Sequence, residues 1–323
     1  MPSFSASRQK FLGQLLAGAA ALAAAPKVWT AEPAASAHSL TGTLATGAPS
    51  RTARGAALLR AAHQLFDVPR VFEDPLALAI LGPDAEGALR ADATRGASSR
   101  SLRALVALRS RHAEDVLAAA YQRGVRQYVV LGAGLDTFGY RNPFAPQLRV
   151  FEVDHPATQG WKRARLAASG ISPSSGLHFA PVDFERQTLS AGLAQAAFRI
   201  DQPAFVSLLG VVMYLSRDAA METLKFVATL PAGSEIVFDY GVPDGALFPA
   251  ELAARQAAAA RVAGMGEPWI TWFDPAALAI ELRGLGFSVT DDLDPAAANA
   301  RYFAHRDDGL AVSRSVHVMR ARV

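Results

Sequence analysis

From residue 127 onward, short apolar segments alternate with helical segments, and this alternation restricts the chain to few folds. The predicted strands are 127–131, 148–153, 177–181, 204–209, 235–240 and 287–290, and the predicted helices are 156–168, 188–197, 217–230 and 275–285. Strands that alternate with such helices form βαβ units, whose strands run parallel. The sequence therefore predicts an α/β doubly wound sheet, mostly parallel, and the alternating segment 315–320 predicts an antiparallel last strand.

Further helices lie outside this alternation. Apolar residues at helical spacing predict helices over 53–66, 74–81 and 101–123, ahead of the first strand, and an Ala/Arg-rich helical insertion over 245–264. We expect one domain over 51–323, with helical cap elements at 51–124 and 245–275.

The N-terminus differs from the rest of the chain. Arg8 and Lys10 precede an apolar, alanine-rich run, and Ala35-Ser36-Ala37 offers a small-residue cleavage pattern. This order is typical of an export signal, and the run is too short for a stable membrane span. Residues 1–38 are therefore predicted to be a signal-like segment, and 39–50, rich in Ser, Thr, Gly and Pro, a linker.

Composition excludes several kinds of protein. The net charge is only +3, and no basic run is interleaved with aromatic residues, which argues against nucleic-acid binding. The chain has no Cys, and its 7 His show no spacing of metal ligands, so we expect no metal site.

A glycine-rich loop follows the first strand. It reads Gly132-Ala133-Gly134-Leu135-Asp136-Thr137, and Glu152 and Asp154 close the next strand about 20 residues later. Such a loop lets backbone N–H groups approach a ligand, and an acid at the second strand end binds ribose hydroxyls. Thr137 stands where dinucleotide-binding loops carry a third Gly, which favours a cofactor without phosphates, such as S-adenosylmethionine.

Several segments together resemble the leucine carboxyl methyltransferase family, in its bacterial branch of O-methyltransferases. They are Ser50–Ala53, Val71–Ala77, Leu108–His112, Val130–Arg141, Val150–Pro156 and Gly210–Leu215, and their order fits from about residue 50 to the C-terminus.

The resemblance implies a class I methyltransferase with a Rossmann-like sheet and S-adenosylmethionine as cofactor. It implies that Arg109 meets the methionine carboxylate, that Glu152 or Asp154 holds the ribose, and that Asp183 and Phe184 flank the adenine. Gly132, Ala133, Gly134 and Asp136 would line the cofactor. One position departs from the leucine carboxyl methyltransferases proper: Leu209 replaces an acid, which favours a small-molecule acceptor.

The expected reaction is methyl transfer to an oxygen of that acceptor, a carboxylate or a hydroxyl. A carboxylate needs no base, whereas a hydroxyl is helped by one. His112 and Tyr214 are the candidate catalytic residues, Tyr240 and His305 are further ones, and Trp269 and Trp272 are candidates for an apolar acceptor wall. The acceptor's identity and the oligomeric state stay open.

Two other functions remain as alternatives. A non-catalytic exported binding protein is suggested only by the N-terminus, and an NAD(P)-dependent reductase lacks both the third Gly and a Y-x-x-x-K pair. Because S-adenosylmethionine is made in the cytosol, we favour a cytoplasmic enzyme over an exported one.

Overall fold

The computed structural model describes residues 50–91, 99–183 and 186–323, which form one seven-stranded sheet with helices on both faces. The strands are β1 (Gln127–Leu131), β2 (Arg149–Asp154), β3 (Leu177–Pro181), β4 (Phe205–Leu208), β5 (Glu235–Gly241), β6 (Val289–Leu293) and β7 (Val316–Arg322). Their spatial order is β3-β2-β1-β4-β5-β7-β6; β7 runs antiparallel to β5 and to β6, and the other neighbouring pairs are parallel. The predicted doubly wound sheet with an antiparallel last strand is confirmed.

The helices of the described residues mostly match the sequence predictions. They are α1 (Arg51–Phe66), α2 (Ala85–Ala91), α3 (Arg100–Gln122), α4 (Phe138–Arg141), α5 (Pro156–Ala168), α6 (Leu189–Gln195), α7 (Arg217–Ala228), α8 (Pro249–Gly264), α9 (Pro275–Leu285) and α10 (Pro295–Tyr302). Short 3₁₀ turns lie at Ala79–Leu81, Val212–Tyr214 and Asp244–Ala246.

One helix prediction was wrong, and the helices α2, α4 and α10 were not predicted. The helix predicted over 74–81 is only a 3₁₀ turn at its end, because the Asp74 carboxylate accepts from the backbone N–H of Leu76 and so favours a turn. Helix α10 was missed, although Asp294 caps it and Pro295 opens it. Its eight residues are too few to show a clear period of 3.6.

Alternating side chains of the central strands divide the core into two layers. Val129 and Leu131 pack with α7 and α9 on one face, and Tyr128 and Val130 pack with α3 on the other. All five residues of β1 are buried, as expected for a parallel strand covered on both faces. The tight packing fixes the strand ends, and the functional cavity lies beyond those ends.

Residues 1–49 lie outside the described residues, so the signal-like segment over 1–38 stays a prediction, and so does the linker up to its last residue. That residue, Ser50, accepts from the N–H of Ala53 and caps α1. No helix within the described residues is long and apolar enough to cross a membrane.

Candidate functional site

A cavity of about 660 Å³ opens at the carboxyl ends of β1, β2 and β4. In the strand order, β1 stands between β2 and β4. After β1 the chain adds β2 and β3 on one side of the sheet and then returns to add β4 and β5 on the other side. Ligands of open α/β sheets bind in the crevice at such a switch point. Helices α1, α3 and α8 wall the cavity, which makes the predicted cap elements part of the site.

The glycine loop forms the floor of this cavity and adopts a backbone that glycine favours. Gly132 has φ +63° and Gly134 has φ +47°, and a Cβ on Gly132 would lie 2.8 Å from Cγ2 of Val211. The N–H of Gly134 donates to Oδ2 of Asp154 over 2.5 Å and so ties the ends of β1 and β2 together. Neither glycine can be replaced without straining the loop.

Two acids at the end of β2 have different surroundings. Asp154 lines the cavity, as does Asp136 from the glycine loop. Glu152 lies outside the cavity lining, fully buried, with Oε2 2.7 Å from Nζ of the equally buried Lys162. Burial raises the pKa of the Glu152 carboxyl, and the charge of Lys162 opposes this rise. Of the two candidate ribose ligands, only Asp154 is accessible from the cavity.

Arg109 reaches the cavity from α3 and contacts the end of β4. Its Nη1 donates to Oδ2 of Asp239 over 3.2 Å, and its guanidinium packs against Gly210. Within the described residues, Nε and Nη2 of Arg109 have no protein acceptor. A planar guanidinium with free N–H groups at a cavity wall is suited to bind a carboxylate.

Of the side chains considered as candidate bases, Tyr214 lines the cavity and His112 does not. The His112 ring is buried on α3, where Nδ1 lies 3.1 Å from the Tyr302 hydroxyl and Nε2 has no partner. Burial and the nearby Arg301 lower the pKa of His112 to about 4.

Tyr240 and His305 also lie outside the cavity lining. The Tyr240 hydroxyl donates to Asp292 over 2.9 Å, and burial together with this carboxylate raises its pKa. His305 is exposed.

Of the other residues that the resemblance involves, Asp183 and Arg111 lie outside the cavity lining. Asp183 follows β3 with Oδ2 3.4 Å from Nε of Arg186, and Phe184 lies outside the described residues. Arg111 forms an exposed pair with Asp115. His155 lines the cavity, and its Nδ1 accepts from the N–H of Ala157, so it caps α5.

The other half of the cavity is largely apolar. Trp269 and Trp272 meet edge to face there, with ring centroids 6.3 Å apart, and the indole N–H of Trp269 is buried without a partner. From α8, Ala250, Ala254 and Ala258 line the opposite wall at four-residue spacing. This half can receive an apolar body.

Arg255 holds α8 in place over this apolar half. Its guanidinium lies 4.6 Å from the centre of the Trp272 ring, donates to the carbonyl of Val242 and pairs with Asp244. It is the one buried residue of α8, so the helix depends on this anchor.

A buried polar network beneath the glycine loop was missed by the sequence analysis. Asp74 accepts from the hydroxyl of Thr137 over 2.8 Å and pairs with Nε of Arg60 at 2.7 Å, while Arg60 also donates to the carbonyl of Leu135. The network ties α1 to the loop. Asp74 and Thr137 both lie in segments that resemble the family, but no pattern in the sequence indicated that their side chains would be in contact.

No group of three or more acidic or histidine residues that could hold a metal occurs within the described ranges.

Fold and cavity together define a class I, Rossmann-like methyltransferase fold. The model of the family described as leucine carboxyl methyltransferase matches residues 53–228, more than half of the chain. The chain belongs to this family.

Relatives and solved structures agree with this assignment. YktD of Bacillus subtilis (strain 168), a candidate S-adenosyl-L-methionine-dependent methyltransferase, is 35% identical over 66% of this chain and 70% of its own length. A candidate methyltransferase of Mycobacterium ulcerans (strain Agy99) is 32% identical over 64% and 68%. The crystal structure of a candidate methyltransferase from Thermobifida fusca YX matches with TM-score 0.52 and 21% identity over 86% of this chain and 96% of that chain. The chain is therefore an S-adenosylmethionine-dependent methyltransferase.

Proposed function

We propose that the chain transfers the methyl group of S-adenosylmethionine to a carboxylate oxygen of a small acceptor with an apolar body. The observation that carries this proposal is the composition of one cavity. Its glycine-loop end combines Arg109 with Asp154, and its other end is walled by Trp269 and Trp272. Family membership does not favour the exported binding protein or the reductase.

The glycine-loop end fits the cofactor. Gly132 and Gly134 leave room that a Cβ would fill, Arg109 offers free N–H groups for the methionine carboxylate, and Asp154 is accessible for the ribose hydroxyls. We assign the ribose to Asp154 rather than Glu152, because Lys162 already neutralises the Glu152 carboxyl in the interior. Ala133 and Asp136 complete this floor. Asp183 and Phe184 stay the proposed adenine neighbours.

S-adenosylmethionine supplies an electrophilic methyl group on a sulfonium. The protein's part is to hold the acceptor oxygen in line and to exclude water. The Trp269 and Trp272 rings and the alanines of α8 provide an apolar wall for this purpose, and Tyr214 lines the same cavity.

The choice of a carboxylate over a hydroxyl rests on the side chains that could act as a base. Among the described residues lining the cavity, His155 is the only histidine, and its Nδ1 is occupied in capping α5. At the acceptor end, both oxygens of Glu251 accept backbone N–H groups. An ionised carboxylate is nucleophilic without a base. The exposed Arg51 and Arg261, which also line the cavity, would attract it.

Matched acceptor pairs test the proposal. The full chain is incubated with S-adenosylmethionine and with 1-naphthoic acid, 1-naphthol, decanoic acid or decanol, and S-adenosylhomocysteine release is measured. We expect the acids to be methylated to esters that alkali cleaves. Methylation of the alcohols alone would contradict the carboxylate assignment.

A tryptophan pair tests the acceptor wall. Trp269→Phe should raise KM for the methylated acid several-fold, because the smaller ring removes apolar area from the wall, whereas Trp161→Phe, in α5 and outside the cavity lining, should not. Equal effects of both substitutions would refute the wall.

We also propose that the enzyme acts in the cytoplasm, where its cofactor is made. N-terminal sequencing of the native protein tests this: a start at Ala37 or His38 would instead indicate export.

A further inference from the structure

The buried carboxylate of Asp239 has no place in the function proposed above. Asp239 lies near the end of β5, one residue beyond Phe238, which pairs with Leu208 of β4. It is completely buried and does not line the cavity. An ionised group in such a place needs partners, and here it has two.

The two partners lie on two different elements around the cavity. Oδ1 of Asp239 accepts from the N–H of Gly210 over 2.5 Å, and Oδ2 accepts from Nη1 of Arg109 over 3.2 Å. Gly210 has φ +68°, and a Cβ there would lie 2.6 Å from both Nη atoms of Arg109. One carboxylate therefore fixes the turn after β4 and the guanidinium that packs on that turn.

We propose that Asp239 is a positioning residue that presents Arg109 to the carboxylate of the cofactor's methionine part. By occupying Nη1, Asp239 leaves Nε and Nη2 for a ligand and stops the long side chain from sampling other rotamers. The inference rests on the proposed cofactor site. It goes further by assigning the orientation of Arg109 to a residue that never touches the ligand.

Two ligands separate positioning from a general structural role. S-adenosylhomocysteine carries the amino-acid carboxylate, and 5′-methylthioadenosine lacks the amino-acid part altogether. Calorimetric titration of the full chain with each gives four dissociation constants for the wild type and Asp239→Asn. Asn can still accept from Gly210, so the substitution removes mainly the charge that holds Arg109.

We expect Asp239→Asn to weaken S-adenosylhomocysteine binding about tenfold and to change 5′-methylthioadenosine binding less than twofold. Arg109→Ala should show the same ligand dependence, and the double variant should lose little more than Arg109→Ala alone. Glu235→Gln is the matched control, because Glu235 is equally buried on β5 but pairs with Arg123 and Arg320 away from the cavity; it should change neither constant.

If Asp239→Asn weakens the binding of both ligands equally, or changes the binding of neither, the positioning role is overturned while the cofactor site stands. A wild type that binds neither ligand would overturn the cofactor site as well. If Asp239→Asn does not fold, Asp239→Glu carries the same test, because it keeps the charge and displaces it by one methylene group.

Discussion

Replacing His112 by glutamine should alter the pH dependence of stability without abolishing methyl transfer. In the folded chain, the Tyr302 hydroxyl donates to Asp115, so it accepts a proton from Nδ1 of His112. Nε2 then carries the lone pair and is buried without a partner. Protonation would place an unpaired N–H and a positive charge there, close to Arg301.

The size of the effect follows from the pKa of His112, which falls from 6.5 to about 4 on folding. At about 1.4 kcal/mol for each pH unit, the difference corresponds to about 3 kcal/mol of unfolding free energy. Because the unfolded histidine binds a proton at a higher pH than the folded one, this contribution is complete above pH 6.5. It is lost progressively as the pH falls to about 4.

The assay is urea unfolding of wild type and His112→Gln at intervals from pH 7.5 to 4. Other groups titrate in this range in both proteins, so the difference between the two free energies isolates His112. We expect that difference to shrink by about 3 kcal/mol towards low pH. His305→Gln removes an exposed imidazole, and its profile should follow that of the wild type.

The rate of methyl transfer gives a second, independent readout. His112 lies outside the cavity lining, so kcat at pH 7.5 should change no more than a few-fold. Loss of a catalytic base costs about 10²- to 10⁴-fold. A drop of that size, or a free-energy difference that does not vary with pH, would refute the structural role assigned here.

Three further predictions concern the loop and the helices. Gly132→Ala should weaken S-adenosylhomocysteine binding at least tenfold by calorimetry, because of its positive φ and the contact with Val211; unchanged affinity would contradict the close approach. Lys162→Met should lower the free energy of unfolding by about 3–5 kcal/mol, because it leaves the buried Glu152 carboxylate unpaired. Adding Glu152→Gln should restore much of that stability in urea unfolding; if it does not, the unpaired charge is not the cause of the loss. Ser216→Ala should cost about 1 kcal/mol through loss of the α7 cap, and a thermal midpoint equal to that of the wild type would exclude it.

The sheet could be read from the sequence because its signal is local. A run such as Gln127–Leu131 is apolar throughout, and the helices between strands show their own period and caps. The glycine loop and the acids at the end of β2 could be placed at one sheet edge, because carboxyl ends of parallel strands meet there. Arg109 and Tyr214 were singled out from sequence, and the structure brings both to the cavity.

Contacts between side chains that are far apart in the sequence could not be predicted from it. Asp74 and Thr137 are 63 residues apart, and Arg109 and Asp239 are 130 apart, yet each pair is in contact. Neither contact produces a periodic pattern in the sequence, because one buried hydrogen bond constrains only two positions.

The sequence by itself determined the order of the strands, the switch-point loop and the family. Tertiary structure alone decided between Glu152 and Asp154 at the cavity, because both side chains emerge on the same face of β2 and only the packing of Lys162 separates them. The tertiary structure also places His112 outside the cavity lining, because the ring on α3 faces Tyr302 instead. Periodicity sets which face of an element is buried, whereas the neighbour that each buried atom meets depends on how whole elements dock.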